Sequence, residues 1–309
     1  MPIDHFKAQR FGRLELLAKQ AVEGFITGMH KSPYHGFSVE FAEHRAYNTG
    51  ESTRHIDWKL YGRTDKMFVK RFEEETNLRC NVIIDRSGSM YYPQTRKADE
   101  LNKIQFGIQS AASLIYLMRS QRDAVGLTLF GKGIELSTPA KSSLTHQGYL
   151  FNELEKIYDL ENGSESSDIV NALHMMAEKT HKRSLIVVIS DFMDTLFRNN
   201  EDQSKLFEAL QHLRYNKHEV ILFHLFDHKT ELDLDLENRP YTFVDLETGE
   251  KIKVQPIEIK EQYKALKQKR IQEVKLTCRQ YGIDWNEIDI QEGVSKVLDR
   301  FLAKRSRLG

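Results

Sequence analysis

Hydrophobic positions along the chain follow two rhythms. Near the start, Phe11, Leu14, Leu17, Ala18, Ala21, Val22 and Phe25 recur at steps of three and four, which predicts a helix over residues 11–25. Gly28, Pro33 and Gly36 break that spacing, residues 37–47 read as strand material, and Asn48-Thr49-Gly50-Glu51 reads as a turn. Two charged stretches follow at 54–59 and 66–72, and residues 1–77 are assigned to an N-terminal α+β subdomain.

From residue 78 onward, short unbroken apolar runs alternate with segments of helical spacing. A run ending on Asp85 predicts a strand, after which Leu101, Ile104, Ile108, Ala111, Ile115 and Met118 step as an amphipathic helix. Residues 124–130 and 134–137 flank Gly131-Lys132-Gly133 and predict an antiparallel hairpin. Helices are predicted over 145–158, 169–178, 203–214 and 263–281, and strands over 184–190, 220–226 and 283–288. A last helix holds Val294, Val297, Leu298, Phe301 and Leu302. Between 227 and 260 the alternation lapses: residues 241–246 and 250–254 read as a β-hairpin, taken as an insertion at about 228–260. Strands and helices in alternation, with unbroken apolar strands, predict an α/β fold over 78–309: a doubly wound, mostly parallel sheet covered on both faces.

Composition narrows the function. At 309 residues the chain can bury a sizeable core, and its 45 Lys plus Arg balance 45 Asp plus Glu, so no global field draws it to nucleic acid or an anionic membrane. Two cysteines, Cys80 and Cys278, give no disulfide framework and point to a reducing setting. Met1-Pro2-Ile3-Asp4-His5 lacks the basic-then-apolar build of a secretory signal, and the most apolar segments are too short to span a bilayer. The expectation is a cytoplasmic protein with no membrane span and no nucleic-acid partner.

Chemistry concentrates where the strand before residue 86 ends. In Asp85-Arg86-Ser87-Gly88-Ser89-Met90 a carboxylate and two hydroxyls sit at alternate positions on a tight turn. Oxygen ligands without Cys or His suit a hard divalent ion, Mg²⁺ or Mn²⁺. A second carboxylate, Asp191, ends the strand Leu185-Ile186-Val187-Val188-Ile189-Ser190, and the loop Gly163-Ser164-Glu165-Ser166-Ser167-Asp168 offers hydroxyls at a helix start. In open α/β sheets such strand ends meet at the ligand site.

The Asp-x-Ser-x-Ser-Met pattern after a buried strand resembles the metal-ion-dependent adhesion site of von Willebrand factor A-type domains. That resemblance implies a Rossmann-type sheet and a metal site at Asp85, Ser87, Ser89, Ser167 and Asp191, with Ser167 standing where the family has Thr. It further implies that Ser87 and Ser89 bind the ion directly, that Asp85 and Asp191 act largely through water, and that an open position accepts an Asp or Glu from a protein partner. Serine in place of threonine rotates more freely and is expected to weaken binding without abolishing it.

Competing readings were weighed on the same residues. Asp85 with Ser87 and Ser89 could be a turn and helix cap, since both residue types favour caps, but Asp191 and Ser167 in the expected order favour a site. An aspartyl phosphotransferase needs a second Asp where Ser87 stands. Gly126 to Gly133 only superficially resembles a phosphate loop, ending in Gly where Ser or Thr should hold Mg²⁺. Ser87 is no hydrolase elbow, because Asp85 occupies the position of a required glycine. A Mg²⁺-dependent phosphate-ester hydrolase, using Asp85 or a metal-bound water with Asp194 or Glu165 as base, is the alternative to a non-enzymatic role. Arg86 could grip a partner's carboxylate or form an outward salt bridge, and the twelve histidines read as satisfied or solvated.

The segment Arg54-His55-Ile56-Asp57-Trp58, continuing through Arg63 to Lys70, resembles a bacterial domain-of-unknown-function family that joins such a region to a von Willebrand A-like domain. Arg54 and Asp57 are read as a buried ion pair beside Trp58, the alternative being that Arg54, Lys59 and Arg63 form a basic docking face. Genes of that family usually lie beside one for a MoxR-type AAA+ ATPase. The resemblance implies a non-enzymatic adaptor that docks an acidic residue of a partner, either the ATPase or its client, through a bound cation.

Overall fold

Arg79-Cys80-Asn81-Val82-Ile83-Ile84-Asp85 forms a strand buried after its first residue, flanked in space by two other apolar runs. The computed structural model describes residues 12–29, 44–46, 58–65, 67–70, 78–94, 100–160, 162–164, 166–197, 200–244 and 249–305. Its elements in chain order are α1 (Arg13–Met29), β1 (His44–Ala46), α2 (Trp58–Thr64), β2 (Phe68–Lys70), β3 (Arg79–Asp85), α3 (Lys103–Ser120), β4 (Ala124–Phe130), β5 (Ile134–Ser137), α4 (Leu144–Tyr158) and α5 (Ile169–Lys179). There follow β6 (Leu185–Ser190), α6 (Met193–Phe197), α7 (Asn200–Tyr215), β7 (Glu219–Phe226), β8 (Tyr241–Val244), β9 (Lys251–Val254), α8 (Pro256–Gln280), β10 (Asp284–Asp289) and α9 (Ser295–Arg305).

The chain divides into two units, one of residues 1–26 with 78–309 and one of residues 27–77. In the smaller unit β1 and β2 pair antiparallel, with His44 opposite Lys70. In the larger unit the sheet order is β10-β7-β6-β3-β4-β5, parallel throughout except for the β4–β5 hairpin. This is a mixed α/β architecture built on a mostly parallel central sheet. The chain moves from β3 outward to β4 and β5, then returns to β3's other side for β6, β7 and β10, so the strand order reverses between β3 and β6. That reversal leaves a crevice at the carboxyl ends of the two strands.

Strand periodicity sends alternate side chains to opposite faces. Ile83, Ile186, Val188, Val220 and Leu222 form one core with Leu173 and Met176 of α5, Leu206, Leu210 and Leu213 of α7, and Val274 of α8. On the other face α3 lies so close that a Cβ on Gly107 would stand 3.1 Å from Ile189 and 3.5 Å from Leu225. Val297, Leu298 and Phe301 of α9 are buried, and α9 packs on α3 and β10. Each such aliphatic side chain contributes about 1.5–3 kcal/mol by leaving water. Leu14, Ala18 and Val22 of α1 are also buried, and the Leu14 amide donates to Glu155 of α4 at 3.0 Å.

One helix boundary differs from the sequence expectation. Helix α8 begins at Pro256, seven residues before the apolar spacing starts, because proline is well placed at the first helical position, where no N–H is needed. The insertion folds as the β8–β9 hairpin, Tyr241 opposite Val254, and leaves Ile252 and Val244 exposed.

Candidate functional site

Strand β3 delivers Asp85 and β6 delivers Ser190 and Asp191 to the crevice where the strand order reverses. The Ser190 hydroxyl donates to Asp85 Oδ2 at 2.6 Å and accepts from the Phe192 amide at 2.9 Å. Asp85 Oδ1 accepts from the Ser87 amide at 2.9 Å, closing an Asx turn that swings the chain into a single 3₁₀ turn, Gly88–Tyr91. That turn brings the Ser87 and Ser89 hydroxyls to 3.2 Å, and Ser89 donates to Asp191 Oδ1 at 3.1 Å.

The third loop is fixed by backbone pairing. Ser164 forms a parallel bridge with Ser87: its amide donates to the Arg86 carbonyl at 2.8 Å and its carbonyl accepts from the Gly88 amide at 2.9 Å. The loop lies so close that a Cβ on Gly163 would stand 2.6 Å from the Arg86 carbonyl oxygen and 2.7 Å from that of Ser87. Asp168 anchors the loop's far end, donating from its amide to the Gly131 carbonyl and capping α5 through the Asn171 amide. Between these anchors Ser167 donates to Asp85 Oδ2 at 3.3 Å.

All five sequence-predicted residues, Asp85, Ser87, Ser89, Ser167 and Asp191, therefore meet around one small, tight pocket, which Met193, Asp194 and Thr195 also line. Its carboxylates are the predicted Asp85 and Asp191 together with Asp194, and its other predicted ligands are hydroxyls; among the described residues there is no cluster of three or more His, Cys, Asp or Glu suited to a metal.

Electrostatics separate the two carboxylates. Burial and the neighbouring Asp191 charge push Asp85 up to about 6. Burial acts on Asp191 in the same sense, yet the charge and hydrogen bond of Lys103 hold its carboxyl below the usual range. Lys103 was not singled out by the sequence reading. Its Nζ donates to Asp191 Oδ2 at 2.6 Å and to Glu231 Oε1 at 2.8 Å, and the side chain is 1% exposed. Burial alone would lower this ammonium's pKa, but Asp191 and Glu231 outweigh it and raise it. Glu231 sits on a single π-helical turn, His228–Leu232, and its Oε2 accepts from the Asp227 amide at 2.7 Å. One signal for Lys103 was present: it is the first residue of α3, where the helix dipole disfavours a cation. Ser190 had no such signal, and Glu231 lies across an irregular turn that periodicity does not reveal.

Phe192, next to Asp191, has a left-handed backbone, φ 51°, unusual for a bulky residue, and its ring is buried against Trp285 at a centroid separation of 5.3 Å. Arg86 turns to Glu135 of β5, an ion pair outside the pocket, and lies 3.4 Å from the Tyr91 hydroxyl. His224 departs from the expectation of satisfied or solvated histidines, for it is 2% exposed and its Nδ1 has no hydrogen-bond partner among the described residues. The pair read at Arg54 and Asp57, and Glu165 of the hydrolase alternative, lie outside the described residues.

With this geometry in view, the family model described as a protein of unknown function, DUF58, matches residues 43–273. The chain belongs to this family. Curated relatives of this DUF58 chain include uncharacterized proteins of Mycobacterium bovis and Mycobacterium tuberculosis, each 23% identical over 180 residues, or 58% of this chain and 55% of theirs. The chain thus spans about half the length of the curated relatives it matches. Similar solved structures include BatB from Bacteroides thetaiotaomicron, 12% identical over 73% of this chain and 99% of that one, with a TM-score of 0.40. An aerotolerance-related membrane protein from Bacteroides fragilis is 15% identical over 74% of this chain and 99% of that one, with a TM-score of 0.45. The cytoplasmic expectation is corrected here, because structural neighbours of this DUF58 chain are described as membrane proteins. Among the described residues no helix is long and apolar enough to cross a membrane.

Proposed function

We propose that this protein is a non-enzymatic adaptor whose pocket binds Mg²⁺ or Mn²⁺ and, through the ion, docks an Asp or Glu of a protein partner. The site is read as a metal-ion-dependent adhesion site in a von Willebrand A-like domain, and the partner as a MoxR-type AAA+ ATPase or its client. One observation carries the reading: oxygens from three separate loops meet at the crevice where the strand order reverses.

The donor set fits the ion. Ligands at adjacent corners of an octahedron with metal–oxygen distances of about 2.1 Å stand about 3.0 Å apart. Ser87 Oγ to Ser89 Oγ is 3.2 Å, and Ser89 Oγ to Asp191 Oδ1 is 3.1 Å. Those three oxygens would hold the ion, Asp191 directly rather than through water as the resemblance implies, with Asp85 orienting the Ser87 turn and Ser167. Two neutral hydroxyls and one carboxylate oxygen would leave the bound ion with net positive charge, which suits an incoming carboxylate.

The test is calorimetric titration of Mg²⁺ and Mn²⁺ into the wild type, Asp85→Ala and Ser89→Ala, followed by partner capture with and without EDTA. The expected result is micromolar-to-millimolar ion binding that weakens at least tenfold in both variants, and capture that EDTA abolishes. Equal affinity in all three proteins would remove the cation site, and capture indifferent to EDTA would remove the docking role.

A further inference from the structure

We propose that Lys103 is a positioning residue that sets which cation the pocket takes, admitting small octahedral divalent ions and turning away Ca²⁺. The inference rests on the cation reading of the pocket, and it is carried by which carboxylate oxygens are already engaged.

Ca²⁺ takes six to eight oxygens at 2.3–2.6 Å and commonly draws both oxygens of a carboxylate, whereas Mg²⁺ takes six at 2.0–2.1 Å and is content with one from each group. Neither carboxylate here has both oxygens to give. Asp191 Oδ2 accepts from the Lys103 ammonium at 2.6 Å, and Oδ1 accepts from Ser89 at 3.1 Å and from the Met193 amide at 3.3 Å. Asp85 Oδ1 accepts from the Ser87 amide, and its Oδ2 accepts from Ser190 and Ser167.

Lys103 cannot swing aside cheaply. It is buried, and its second bond ties it to Glu231, itself fastened to the Asp227 amide. The chain of contacts from the π-helical turn through Glu231 and Lys103 holds Asp191 so that a single oxygen faces the pocket. A cation demanding both would have to release a buried ammonium from its charged partners, leaving a buried charge uncompensated. A lysine opening a helix runs against the dipole, and this clamp accounts for its place there.

The experiment is calorimetric titration of the full chain with Mg²⁺, Mn²⁺ and Ca²⁺, in the wild type, Lys103→Met and Lys103→Arg. Residues that orient a metal ligand typically change affinity by about 10–100-fold. The wild type should prefer Mg²⁺ and Mn²⁺ over Ca²⁺ by at least tenfold, Lys103→Met should erase that preference by strengthening Ca²⁺ binding, and Lys103→Arg, which keeps a donor on Oδ2, should retain it. If Lys103→Met fails to fold, the double variant with Glu231→Gln, which removes the second stranded charge, makes the same comparison. An unchanged Mg²⁺-to-Ca²⁺ ratio in the methionine variant, or a wild type that binds Ca²⁺ as tightly as Mg²⁺, overturns the inference and leaves the cation site standing. A wild type that binds no divalent ion at all removes the site and the inference together.

Discussion

His224 is a side chain whose environment opposes protonation in acid. Burial pushes its imidazole down to about 3 from an ordinary 6.5, reinforced by Lys267, Lys103 and Lys275 and opposed by Asp191. It stacks between Phe226 and Trp285, at ring centroid distances of 5.5 and 5.0 Å. A base with a depressed pKa binds fewer protons folded than unfolded, so its contribution is complete above pH 6.5 and is lost as the pH falls toward 3, at up to about 1.4 kcal/mol per pH unit. Asp85, raised to about 6, acts oppositely, since its protonation on acidification favours the folded state. Comparing His224→Gln with the wild type isolates the histidine. Urea unfolding across pH 7 to 4 should show a shallower fall in stability for the variant, and parallel curves would contradict the assignment. At this scale the sequence was half legible. Asp85, Ser87, Ser89 and Asp191 stood out because their oxygens fall at strand ends, whereas Ser167 was chosen from its loop only by the resemblance to the von Willebrand A-type pattern. Lys103 and Glu231 did not, because a buried ion pair between residues 128 positions apart leaves no local pattern.

Elements carry the site through their junctions. The strands were readable from their apolar runs, β6 above all, whose six residues are all buried. The half-buried β10 was also found, although it is polar, because Ile283 and Ile288 bracket it. Helix α6 was missed, for five residues are too few to display a helical period. The loop before α5 was expected to supply a hydroxyl, but its mode of attachment was not visible, since Ser164 and Gly163 act through backbone contact. Gly163→Ala is therefore expected to act at a distance. The added methyl meets backbone oxygens at 2.6 and 2.7 Å, so the loop must back away from β3 and carry Ser167 off Asp85. Chemical denaturation should register a loss of about 1–3 kcal/mol, typical of overpacking at a tight contact. Cation affinity, measured on the folded variant, should fall with it, and a variant of wild-type stability would show that the loop does not need this close approach.

For the whole molecule, the α/β class and the parallel sheet followed from alternation, while the reversal of strand order that makes the crevice is a property of the completed sheet. If the crevice binds a cation, occupancy must appear in global stability. A ligand at 100 times its dissociation constant stabilises the folded state by about 2.7 kcal/mol. For a body of 150–250 residues each kcal/mol moves Tm by about 2–4 °C, so saturating Mg²⁺ should raise the melting temperature by roughly 5–10 °C. Differential scanning calorimetry should find that rise in the wild type and, at the same ion concentration, at most about half of it in Asp85→Ala. Phe192 shows how closely core and crevice are joined. A left-handed backbone at a bulky residue costs on the order of 1–3 kcal/mol and persists only where the surroundings enforce it. Its buried ring packs against Trp285, and its amide donates to the Ser190 hydroxyl at 2.9 Å. The aim of the neighbouring aspartate is thus set like a cocked lever by aromatic bulk as well as by the ammonium beside it, and loosening the hydrophobic interior would blunt the crevice without altering a single one of its polar groups.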